Sequence, residues 1–60
     1  MAGKFEVYED KSGKFRFRLK ARNGEVVASS EAYESKSGAH KGAGAVQRAA
    51  EGAQIVDADR

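Results

Sequence analysis

Lys14, Arg16, Arg18 and Lys20 alternate with Phe15, Phe17 and Leu19 in the stretch KFRFRLK, residues 14–20. Cations at every second position of a strand project from one face, where they can hold phosphates. Rings spaced by two project from the other, where they can stack on bases. The stretch reads either as a nucleic-acid platform with both rings exposed or as an ordinary strand with buried rings and a basic outer face. The second reading is preferred, because these two rings are a large share of the only core available. If they stack on bases, nothing remains to bury. Binding is then confined to the outer face, where Lys14, Arg16, Arg18 and Lys20, with Tyr8 and Lys4 nearby, are candidate polyanion-binding residues that would meet phosphates without sequence preference.

The other chemistry-bearing residues are sparse. Ser35-Lys36-Ser37-Gly38 at a helix start has free N–H groups and a lysine, the ingredients of an anion site, but ordinary capping by Ser35 explains the pattern more simply. The run Gly38-Ala-His-Lys-Gly42-Ala-Gly44 lacks the Gly-Lys-Ser/Thr ending of a phosphate loop and follows no buried strand, which excludes nucleotide binding. His40 is the single histidine, there is no cysteine, and no spacing of acids around His40 suggests a metal. No carboxylate pair or nucleophile-base arrangement is present, so a non-enzymatic protein without metal or cofactor is expected.

The chain offers little with which to build a pocket. Of 60 residues 24 are apolar, and 11 of these are alanine, leaving 13 larger side chains. A single domain over residues 1–60 of this size leaves much of its surface exposed. Disulfides cannot supplement the core, so a second copy of the chain is the expected source of extra burial, and a homodimer is the expected state. The opening MAGKF has no apolar core of the kind a signal peptide needs, Gly3 is one place too late for N-myristoylation, and no run is long enough to span a membrane. A cytoplasmic protein is the expectation. The net charge of +2 is uneven: residues 1–24 hold seven Lys/Arg against three acids, and residues 25–60 hold four against six.

The elements that must position these residues follow from periodicity. KFEVYE, 4–9, alternates like a half-buried strand, DKSG at 10–13 is a turn, and 14–21 is the second strand. Asn23-Gly24 predicts a two-residue type I′ turn with Arg22 opposite Glu25. That register places Leu19 opposite Ala28 and Ala21 opposite Val26, with EVVASS, 25–30, as the third strand. In the first hairpin, Phe5 and Val7 share a face with the rings if paired positions sum to 22 or 24, and either sum puts Glu6 opposite Arg16 or Arg18. A helix over about 36–51 is capped by Ser35 and presents Ala39, Ala43, Val46 and Ala50 as a thin apolar stripe, with Gly52 as its stop. Residues 53–59 predict a short final strand with Ile55 or Val56 turned inward. The fold class is therefore α+β: a three-stranded antiparallel meander, one helix on one face and a short C-terminal strand (βββαβ).

Phe15-Arg16-Phe17-Arg18-Leu19-Lys20, Asn23-Gly24, Ser30-Glu31, Tyr33 and Ser35-Lys36, within a stretch covering about residues 4–50, resemble the YegP-like family of small bacterial proteins of unknown function. The resemblance implies a unit used once or twice in tandem, a single-unit chain that pairs with itself, and no catalytic residues to carry over. Ala43 stands where members commonly have a large aliphatic residue, and Ala32 where Gly is common before Tyr33. These departures keep the strand topology and imply a less tightly packed helix. Tyr33, as a staple against the helix or an interface aromatic, and Ile55 in the last strand are the candidate interface residues.

Overall fold

The computed structural model describes residues 3–58 of the 60. Three strands, β1 (Lys4–Glu9), β2 (Phe15–Lys20) and β3 (Val26–Ser29), form an antiparallel sheet in the order β1-β2-β3, and one helix, α1 (Lys36–Ala50), follows. The α+β class and the meander agree with the sequence reading.

Both hairpins close by one device. In the first, Asp10 N donates to Lys14 O and Gly13 N to Asp10 O; in the second, Ala21 N donates to Glu25 O and Gly24 N to Ala21 O. Each connection is thus a three-residue loop ending in a glycine with positive φ, 81° at Gly13 and 92° at Gly24, the type I turn plus bulge arrangement. The side chains of Asp10 and Asn23 brace these loops by accepting from Ser12 N and Glu25 N, respectively.

The first hairpin takes the register in which positions sum to 24, pairing Glu6 with Arg18 and Val7 with Phe17. In the second, Leu19 faces Ala28 as expected, but Lys20 faces Val26 across a bulge. The expected two-residue turn and the Ala21–Val26 pair are therefore corrected. Asn-Gly is used in the longer loop, and the extra residue is absorbed as a bulge that restores the inner face at Leu19.

Among the described residues Phe17, 5% exposed, is the largest buried side chain and is joined only by Ala39 and Ala43 of α1. Phe5 meets it edge-on at 5.8 Å between ring centroids, and Tyr33 lies at 6.2 Å on another side. Tyr33 is held there by a two-bond bridge to Phe15, Phe15 N to Tyr33 O and Tyr33 N to Phe15 O. The chain thus turns from β3 into α1 while still tied to β2. Ser35 caps the helix by accepting from Gly38 N at 3.0 Å, and Gly52, at φ 74°, follows its end.

Two expectations for the C-terminal half are overturned. Of the predicted stripe, Ala39 and Ala43 are buried while Val46 and Ala50 are exposed, because the C-terminal half of the helix stands off β1 and leaves an open groove that these two residues line. The predicted final strand is not formed: residues 53–58 have no regular structure and all are exposed, and neither Ile55 nor Val56 turns inward. Asp59, at the end of that predicted strand, and Met1 lie outside the described residues.

Candidate polyanion and assembly surfaces

The alternation of β2 turns Phe17 down and Arg16, Arg18 and Lys20 up, as the period-2 pattern requires. On the upper face every candidate polyanion-binding cation meets a carboxylate. Arg18 Nε donates to Glu6 Oε1 at 2.8 Å, and Lys20 Nζ lies 3.4 Å from the same oxygen. Arg16 Nε donates to Asp10 Oδ2 at 2.7 Å and its Nη1 to the carbonyl of Ser30 at 3.2 Å. Lys14 Nζ donates to Glu34 Oε2. Arg18 also lies over the Tyr8 ring, with Cζ 4.5 Å from the centroid, a cation–π contact that occupies the one aromatic of this face.

The carboxylates register these partners. The hydrogen bond from Arg18 holds the Glu6 carboxyl below the usual carboxylate range, against some desolvation, with Lys20 adding to the lowering. Asp10 is lowered chiefly by Arg16 and by the backbone N–H groups of Lys14 and Ser12, and the Arg16 guanidinium is raised in turn. Asp10 therefore ties three segments together: its own turn, β2, and through Arg16 the Ser30 carbonyl after β3. Sequence reading had found Glu6 but not Asp10, whose place in the turn concealed that its second oxygen reaches Arg16.

On the helix side, Tyr33 is half-buried. Its ring passes so close to Gly42 that a Cβ there would sit 2.3 Å from the Tyr33 hydroxyl and 2.7 Å from Cζ. The ring also runs past Gly38, where the corresponding distance is 3.6 Å to Cδ2. Its staple role, expected from its place just before the Ser35 cap, is thus visible in the geometry. His40 is exposed and lines a groove of about 670 Å³ between β1 and the C-terminal half of α1, together with Lys4 and the apolar side chains of Phe5, Leu19, Val46 and Ala50. Ile55 lies in the segment that leaves the helix at the end of this groove, fully exposed.

Among the described residues there is no group of three or more metal-ligating side chains, and no helix is long and apolar enough to cross a membrane. These features define a class: a small three-stranded sheet with one helix, an ion-paired outer face, and an open apolar groove.

The family model described as a domain of unknown function, DUF1508, matches residues 10–57. The chain belongs to this family, and the YegP-like resemblance is thereby confirmed. A UPF0339 protein of Treponema denticola is 61% identical over 57 residues, 95% of this chain and 98% of the relative. The UPF0339 protein YegP of Yersinia pestis is 47% identical over 45 residues, 75% of this chain but only 40% of that longer protein. The solution structure of a protein from Haloferax volcanii shares the fold, with a TM-score of 0.79 at 38% identity over 95% of this chain and 97% of that one. The relatives come from archaea as well as the bacteria expected from sequence.

Proposed function

We propose that this chain is a non-enzymatic, self-associating module that completes its core as a homodimer, with the groove of one protomer covered by the C-terminal segment of the other. The observation that carries this reading is where the apolar surface lies. Val26 and Val27 in β3 are 50% and 56% exposed, and Val56 and Ile55 in the tail are 74% and 100% exposed, while among the described residues only Phe17, Ala39 and Ala43 are buried. An exposed aliphatic edge strand and an uncovered groove invite pairing. The tail is suited to the groove in chemistry and reach. Residues 53–58, if extended, span roughly 20 Å, and residues 51–60 carry three acids against one arginine, opposite in sign to Lys4 on the groove rim. The longer Yersinia relative supports the same reading: the matched unit is under half of its length, leaving room for a second unit in one chain.

Changing Ile55 and Val56 to Asp tests the contact. Sedimentation of the variant is expected to give protomers at concentrations where the parent chain is paired, with the helical circular-dichroism signal of α1 retained. A variant that pairs as tightly as the parent would remove the tail from the interface.

The alternative, polyanion binding through Lys14, Arg16, Arg18 and Lys20, meets a specific competition. A phosphate on this face has to draw each of those cations away from Glu6, Asp10 or Glu34.

A further inference from the structure

The loop between β2 and β3 carries a reactive pair. Asn23 is the single asparagine of the chain and is followed directly by Gly24. Both are exposed, as are Arg22 and Glu25 on either side. Asparagine is among the thermolabile residues. Its side-chain amide is lost most readily before glycine, which has no side chain to obstruct attack by its own backbone nitrogen.

The closed loop holds both reacting groups in other bonds. Gly24 N, the nucleophile, donates to Ala21 O at 2.9 Å, and the Asn23 side-chain oxygen accepts from Glu25 N at 3.0 Å. Asn23 is the third residue of the type I turn, where ψ is about 0°. That value turns its Cβ well away from the eclipsed alignment with Gly24 N that a five-membered ring requires. Reaction therefore needs the loop to open. Strand β3 is suited to allow this: it has four residues, all exposed, and lies at an edge of the sheet, the features of a segment that opens locally at low cost.

We infer that Asn23 is a site of spontaneous deamidation and isoaspartate formation, gated by opening of the β2–β3 loop. In the open loop Gly24 N gives up its proton to solvent and bonds to Asn23 Cγ. The bond from Cγ to the side-chain nitrogen breaks, and that nitrogen takes a proton from solvent and leaves as ammonia. One water then opens the cyclic imide. Addition at Cγ gives aspartate, and addition at the backbone carbonyl carbon gives isoaspartate, whose main chain runs through Cβ and Cγ. One water is consumed, one ammonia is released, and nothing is oxidised or reduced. The aspartate product keeps the backbone and an oxygen for Glu25 N. The isoaspartate product adds a carbon to the backbone between Ala21 and Glu25, whose bond from Ala21 N to Glu25 O at 2.7 Å closes the loop, so β3 loses its register on β2.

The test incubates the whole chain at mildly alkaline pH, folded and in urea. Intact mass is followed together with a Glu-specific peptide map, in which Asn23 lies in the fragment 10–25. A gain of one mass unit confined to that fragment is expected, about 30-fold slower in the folded chain because the two bonds holding Gly24 N and the Asn23 side chain must be lost together. Asn23→Ser is expected to show no gain in either condition. The separated isoaspartate form is expected to lose hydrogen-exchange protection at the paired amides of β2 and β3 while α1 keeps its circular-dichroism signal, and Asn23→Asp to keep that protection. The inference is overturned if the fragment gains no mass in urea, if the folded chain reacts as fast as the unfolded one or not at all, or if the gain maps to Gln47 or Gln54. It is equally overturned if β3 is as well protected in the isoaspartate form as in the parent.

Discussion

Replacing Gly42 and, separately, Gly44 by alanine should move stability in opposite directions. Both glycines are inside α1, where alanine is favoured by about 1 kcal/mol when nothing else changes. At Gly44 the nearest atom to the new methyl group is Arg48 Nη1 at 3.4 Å, the mobile end of a long side chain, so the gain should be realised at about 0.5–1 kcal/mol. At Gly42 the methyl group would lie 2.3 Å from the Tyr33 hydroxyl, 2.7 Å from Cζ and 3.2 Å from Phe17 Cε2. The ring cannot swing away freely, because Tyr33 is bridged to Phe15 by two backbone bonds and packed against Phe17. Overpacking of this kind costs about 1–3 kcal/mol, which outweighs the propensity gain and leaves a net loss of up to about 2 kcal/mol. In a domain of this size each kcal/mol corresponds to roughly 4–8 °C in Tm. Thermal unfolding followed at 222 nm, at one fixed protein concentration because pairing makes Tm concentration-dependent, should show Gly44→Ala melting higher and Gly42→Ala lower than the parent. Adding Tyr33→Phe to Gly42→Ala removes the closest atom and should recover part of the loss. If Gly42→Ala is as stabilising as Gly44→Ala, the helix does not lie on Tyr33 and the description of the core is wrong.

Three further outcomes follow from the same geometry. Ser35→Ala removes the acceptor for Gly38 N and should cost about 0.5–2 kcal/mol in urea unfolding. Gly24→Ala forces a side chain into φ 92° and should cost about 1 kcal/mol or more, where an unchanged midpoint would mean that the three-residue loop is not the one formed. Glu6 and Asp10 have lowered carboxyl values in the folded chain. Their contribution is therefore present above the ordinary carboxylate range and is lost as pH falls through the lowered folded values. Acid unfolding should show this loss, and Glu6→Gln with Asp10→Asn should flatten the pH dependence while lowering stability at neutral pH.

Strand β2 was readable because its alternation is strict, and burial of Phe17 decides which face is which. The cap at Ser35 and the stop at Gly52 were readable for the same local reason: each is set by a residue and its near neighbours. The second turn was misread because Asn-Gly suits both a two-residue loop and a three-residue loop with a bulge, and only the bond from Ala21 N to Glu25 O distinguishes them. The C-terminal strand was misread because adjacent β-branched residues, Ile55 and Val56, mark a segment able to pair without saying what it pairs with. Pairing of the hairpin cations with Glu6, Asp10 and Glu34 depends on register and on the turn from β3 into the helix, which no local window contains.

Sedimentation equilibrium of the unmodified chain across the micromolar range tests the proposal of self-association most directly. Two copies of a 6.4 kDa chain should give a species of about twice that mass that dissociates on dilution. A single species at the protomer mass throughout would contradict the account, leaving the exposed valines of β3 and the isoleucine of the tail without the partner proposed for them.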